Sequence, residues 1–218
     1  FSVPTIGGAS SKVATVPVGN RAFGVSADAA GVYWATNLDI YSASSDVVGM
    51  LLDKGGLVEL SNQNSPTDIA AAASHIYWSL WVGNAIVRAK RGSLTTEIFA
   101  TTMIGSRGIA VDELNVYFFD GPAVMRKSLM AAPGAAAETI ATTKSGNYRI
   151  AVDADAVYWT DEASFAVFKK PKPDGPVEQI ASGLVSPRSL FAMGDSVFVI
   201  AEGIDGVEND GTLYRIPK

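Results

Sequence analysis

Cysteine is absent from this 218-residue chain, and histidine occurs once, as His75. The first absence excludes a disulfide framework and any thiolate metal site. The second excludes histidine-rich zinc centres. Charged residues amount to only 18% with a net charge of −5, so there is no basic surplus for a phosphate backbone and no nucleic-acid partner is expected. The lysines and arginines form no long run. They recur instead as RAKRG (88–92), MRKS (125–128), FKKPK (168–172) and YRIPK (214–218), a periodicity that suits a structural position. No apolar run nears the roughly 18 residues of a membrane span, so no membrane insertion is expected. Gly-rich phosphate cradles and paired acid–base carboxylates at a recognisable spacing are also missing.

What the chain has is repetition. Five segments share one pattern: FGVSADAAGVYWATN (23–37), DIAAAASHIYWSL (68–80), GIAVDELNVYFFD (108–120), RIAVDADAVYWTD (149–161) and SLFAMGDSVFVIAE (189–202). Their aromatic landmarks, Tyr33, Tyr77, Tyr117, Tyr158 and Phe198, recur about every 40 residues, the period of a β-propeller blade. The fourth unit divides into the strands RIAVD (149–153), AVYWT (156–160), AVFKKP (166–171) and VEQIA (177–181). An Asp153-Ala-Asp155 turn and a Pro-Asp-Gly turn (173–175) separate them. Segment 1–14 aligns with 168–181, so the chain opens on a third-strand remnant and a fourth strand. The fold expected is all-β: one domain over 1–218, a five-bladed β-propeller of four-stranded antiparallel blades. Its ring would be closed by the N-terminal strand, leaving no bare sheet edge. Six blades, with one outside this segment, is the alternative.

The pairing of IAVD (150–153) with VYWTD (157–161), followed by VFKKPKPDG (167–175), resembles the YWTD and NHL repeat propellers over nearly the whole chain. That resemblance implies a family of receptor ectodomains, bacterial surface or sensor domains, and some lactonase-like and lyase enzymes. Within it, function follows loops rather than fold. It implies, with Phe1 in place of an initiator methionine, a secreted or cell-surface/periplasmic protein of bacterial type, expected to be a monomer.

Propeller geometry sets the second-to-third-strand loops and the inter-blade connections on one face. The two longest such loops are 35–46 and 201–211, in neighbouring blades of a closed five-bladed ring. Long loops on a rigid scaffold concentrate function. The innermost strands begin at Phe23, Thr67, Arg107, Tyr148 and Arg188, with Arg21 and Arg149 adjacent. With Asp39 and Tyr41 from the first long loop, they form the expected binding site for a partner protein, a glycan or a small anionic ligand. No motif demands a cofactor. Glu202, Asp205, Glu208 and Asp210 offer hard oxygens, and Ca²⁺ is the ion they would suit, though no complete loop signature is present.

Catalysis is the weaker reading. His75 falls in the Ser74-His75-Ile76 turn, opposite the long loops, where adjacent side chains seldom point together. The catalytic alternative is a metal-dependent lactonase or esterase at the channel mouth, using Glu202, Asp120 and Asp161 at the ends of second strands. Each Tyr-Trp pair reads as core first, since a buried aromatic removes about 150–250 Å² from water.

Overall fold

The computed structural model describes residues 21–37, 47–52, 57–61, 63–132, 134–144, 149–204 and 210–218. Each repeat becomes an antiparallel meander. Blade 1 is β1 (Arg21–Asp28), β2 (Gly31–Asn37), β3 (Val47–Leu52) and β4 (Leu57–Ser61). Blade 2 is β5 (Pro66–Ala71), β6 (His75–Leu80), β7 (Ala85–Lys90) and β8 (Thr96–Thr101). Blade 3 is β9 (Ile109–Val111), β10 (Asn115–Asp120), β11 (Ala123–Ser128) and β12 (Glu138–Thr142). Blade 4 is β13 (Ile150–Val152), β14 (Ala156–Asp161), β15 (Ala166–Pro171) and β16 (Glu178–Ser182). The last sheet holds β17 (Pro187–Met193), β18 (Ser196–Ala201) and β19 (Thr212–Pro217). Among the described residues one 3-10 turn, Glu162–Ser164, is the sole helical element.

Four blades are complete, not five. The fifth sheet has three strands, and the N-terminal segment expected to complete it lies outside the described residues. Nor do the described strands close a ring. The inner strands β1, β5, β9, β13 and β17 pack side by side in that order, but β17 and β1 do not pack on each other in the same way.

The hairpins form for the reason the turns suggested. Asp28 accepts from the Ala30 amide, Asp112 from those of Leu114 and Asn115, and Asp153 from those of Asp155 and Ala156. These side chains pre-shape the reversal. Between blades, the Tyr side of one sheet meets the Trp side of the next. Tyr33 packs with Trp78, Tyr77 with Phe118, Tyr117 with Trp159, and Tyr158 with Val199, each pair in its own buried cluster. Propeller cores are thus interfaces, and the large aromatics fill them at every repeat.

The same turn aspartates also tie neighbouring blades together. Arg91 of blade 2 ion-pairs with Asp28 of blade 1 and donates to the Tyr33 hydroxyl. Lys172 of blade 4 pairs with Asp112 of blade 3 at 2.9 Å, and Asp112 also accepts from the Tyr117 hydroxyl. Lys218, following β19, pairs with Asp153 of blade 4, which accepts from Tyr158. Cross-strand register puts Arg91, Leu129, Lys172 and Lys218 at one repeat position, and Asp28, Ala72, Asp112 and Asp153 at another. Where the aspartate is lost, at Ala72, the cation of the following blade is lost too, at Leu129. Those two side chains share an apolar cluster instead. The periodic basic residues are, at this position, inter-blade latches.

Candidate functional site

Residues of the five inner strands line a cavity of about 490 Å³. Its mouth on the long-loop side is occupied by one side chain. Arg149, just before β13, donates to the carbonyls of Phe23 (2.7 Å), Arg107 (3.2 Å) and Thr67 (3.5 Å), and ion-pairs with Asp68 at 3.0 Å. One guanidinium in blade 4 therefore reaches blades 1, 2 and 3. Asp68 is buried and also accepts from the amides of Ile69 and Ile109. Burial pushes its carboxyl above the ordinary aspartate value, while the Arg149 charge and the two amides act against that rise. Gly24 makes room for this arrangement: a Cβ there would stand 2.8 Å from the Asp68 Cα and Oδ1.

The other arginines of the expected ring lie nearby in different surroundings. The Arg107 guanidinium stacks over the Trp81 ring at 4.2 Å. Arg188 bridges two acids, Glu202 at 2.8 Å and Glu162 at 3.4 Å. Phe23 contributes its carbonyl to Arg149 and lines the channel, and Arg21 is exposed at the start of β1. Asp39, Tyr41 and Tyr148, together with Asp205 and Glu208, lie outside the described residues. So do residues 38–46 of the first long loop and 205–209 of the second. Of the remaining acidic candidates, Glu202 is held by Arg188, and Asp210 accepts from the Ile204 amide at 2.6 Å. Among the described residues no three His, Asp or Glu side chains converge as a metal site.

Register corrects one assignment. Ala201, paired with Thr212, occupies the place that Asp120 and Asp161 hold in their blades, so Glu202 lies one residue beyond it. Asp120 and Asp161 fix loops. Asp120 accepts from the amides of Met103 and Ile104, and Asp161 from those of Ser164 and Lys144, the last on the connection from the preceding blade. The turn histidine also differs from expectation. Ser74 and His75 do point together, with Oγ and Nδ1 2.8 Å apart. Burial holds the imidazole below its ordinary pKa, and no carboxylate hydrogen bond to its ring is present among the described contacts.

Sequence reasoning missed the apolar dressing of the long-loop face. Val82, Met103 and Ile104 stand exposed on blade 2 and its exit, and Phe165, Val185 and Ile204 on blades 4 and 5. The second group is tied by backbone bonds, Leu184 N–H to Phe165 carbonyl at 2.9 Å and Gly203 N–H to Val185 carbonyl at 3.2 Å. Beside the first group, Gly105 runs against the Trp81 main chain, and a Cβ there would overlap the Trp81 carbonyl. Gly105→Ala is expected to displace Trp81 from beneath Arg107 and to destabilise by about 3 kcal/mol. A shifted tryptophan emission with a lowered melting temperature would register it, and an unchanged pair of readings would contradict the close approach.

No protein-family model and no curated protein matches the chain. Solved structures do. It is similar to a chain of a nidogen/laminin complex at 19% identity and TM-score 0.70, covering 84% of this chain and 73% of that one. The fold is a β-propeller. It is also similar to virginiamycin B lyase from Staphylococcus aureus (15% identity, TM-score 0.68, 90% and 66% covered). A streptogramin B lyase matches at 14% identity and TM-score 0.61, with 90% and 69% covered. The repeat resemblance read from the motifs therefore holds at the level of fold, with a propeller that spans two thirds to three quarters of these neighbours.

Proposed function

We propose that this propeller is a non-catalytic binding module whose long-loop face docks a protein partner through apolar contacts. The observation that carries the reading is Phe165. Its backbone sits at φ 51°, a left-handed conformation that suits glycine, yet the residue is an aromatic with 51% of its surface exposed. The Asp161 cap, the Phe165 N–H bond to the Glu162 carbonyl and the Leu184 bond hold it there. Arg149 and Arg188 are already engaged with carbonyls and carboxylates, which favours apolar recognition over capture of a free anion. Fold likeness alone leaves the choice open, since one neighbour comes from a protein complex and others are lyases. A lyase reading would have only His75 to draw on, on the opposite face. Export to the cell surface or periplasm is part of the same proposal.

Phe165→Gly separates the two roles of the residue. Glycine relieves about 1 kcal/mol of left-handed backbone cost, so the melting temperature should hold or rise. Peptides selected from a random phage-displayed library on the wild-type protein should bind the variant at least tenfold more weakly. Equal binding by both proteins would remove the long-loop face from consideration.

A further inference from the structure

The two apolar groups on the long-loop face sit in different charge. Beside Val82, Met103 and Ile104, the carboxylate of Asp120 is turned onto the amides of Met103 and Ile104, and the Arg107 guanidinium lies on Trp81. Around Phe165, Val185 and Ile204, three carboxylates meet one guanidinium. Glu162 opens the turn that ends at Phe165, and the Phe165 amide bonds to its carbonyl. Glu202 donates its amide to the carbonyl of Ser186, next to Val185. Asp210 accepts from the Ile204 amide at 2.6 Å. Gly203 leaves room for that carboxylate: its φ is 84°, and a Cβ there would overlap Asp210. Arg188 serves Glu202 and Glu162 together, and it lies deeper than Glu202, with 25% of its side chain exposed against 55%. The charges of Asp161 and Lys144, one of each sign and joined through the Lys144 amide, leave the excess as it is. An exposed apolar group is thus ringed by acids whose one cation is turned inward.

We propose that the segment seated on Phe165, Val185 and Ile204 is basic: a lysine- or arginine-bearing peptide of the partner, apolar where it covers these three side chains. The inference rests on the docking role given to this face above and adds the chemistry of the partner. Covering the apolar group removes water from the carboxylates around it, and a carboxylate that loses water without gaining a cation is costly. A neutral or acidic segment pays that cost, and a basic one offsets it, so the ring of acids selects against the first two as well as for the third. Lysine and arginine suit the surface in a further way. Their aliphatic stems lie on apolar ground while the charged heads reach its rim. The exposed Phe165 ring also offers a cation its face. The net charge of −5 attracts the same class of partner from a distance.

The experiment starts from a random phage-displayed peptide library selected on the wild-type protein. Clones that bind the wild type but not Phe165→Gly are made as free peptides. They are expected to carry net positive charge, with lysine or arginine beside apolar residues. The double variant Glu162→Gln with Glu202→Gln should bind them about tenfold more weakly, with a melting temperature within about 2 °C of the wild type. Arg188→Gln removes the competing cation and should tighten binding about threefold, whereas a purely structural role for Arg188 would weaken it. Raising salt from about 50 to about 300 mM should weaken the wild type more than the double variant. Peptides that need Phe165, yet are neutral or acidic and indifferent to both glutamates, would leave the docking face standing and overturn its basic partner. If no clone distinguishes the wild type from Phe165→Gly, the face itself falls and this inference with it.

Discussion

Arg149→Met should lower the melting temperature by roughly 10 °C. The methionine keeps the bulk of the side chain but leaves the carboxylate of Asp68 buried without its counter-charge. Breaking such a pair costs about 3–5 kcal/mol. In a chain of this size each kcal/mol moves the midpoint by about 2–4 °C. The carbonyls of Phe23, Arg107 and Thr67 lose donors as well. Those bonds join residues up to 126 positions apart, so their loss frees blades 1, 2 and 3 relative to blade 4. Adding Asp68→Asn should recover more than half of the loss. The amide oxygen can still accept from Ile69 and Ile109, and the buried charge is gone. A single variant melting within about 2 °C of the wild type would mean that Arg149 does not hold the channel mouth.

The second large effect concerns the latches. Lys172→Met leaves Asp112 with its turn amides and Tyr117 but no cation, and Asp112→Asn leaves Lys172 without a carboxylate. Both side chains are mostly buried, so the cycle should give a coupling of about 1–2 kcal/mol, above the range of exposed pairs. Ala72→Asp with Leu129→Lys offers the converse test. Each single change places an unpaired charge in an apolar cluster and should destabilise, and the double variant should lose less than the sum.

Acid should dissolve the latches together. The Arg91 hydrogen bond holds Asp28 below its ordinary pKa. Burial raises Asp112 and Asp153, but their lysine and turn-amide bonds outweigh it, and both end lower than usual. A carboxyl depressed in the folded state takes up protons more readily once unfolded. The stability it lends is therefore complete above the unfolded value, near 3.9, and drains away as pH falls toward the folded one. Asp68, whose pKa is raised, runs the other way: it sheds an unfavourable ionisation as pH falls through its folded value to the unfolded one, before the latch aspartates begin to titrate. Replacing all three latch aspartates by asparagine should flatten the acid limb of a melting-temperature profile. An unaltered limb would place the acid-labile groups elsewhere.

The blade was plain in the sequence because it recurs. Alternating strands, tight Asx turns and a large aromatic every 40 or so residues are local facts, repeated often enough to be read without a template. Each half of a latch was visible in the same way, as a turn aspartate and as a periodic cation. Their pairing was not, because the partner of Asp112 lies 60 residues on, in the next blade. The paired loss at Ala72 and Leu129 was the signal that could have disclosed it. The arginines of the expected ring were legible as residues at strand starts, but sequence gives no sign that Arg149 turns inward to partners in three other blades while Arg107 lies on Trp81.

The latches all run one way, from a blade to the one made before it, across about 60 residues. During synthesis at roughly 5–20 residues per second, a blade emerging from the ribosome waits some 3–12 s for the cation that secures it. At every moment the growing chain carries one unsecured blade at its front, with the aromatic face meant for its successor still in water. Nascent-chain quality control would meet this protein as a moving patch of stickiness, and a pause in translation would lengthen the exposure of whichever blade had come last.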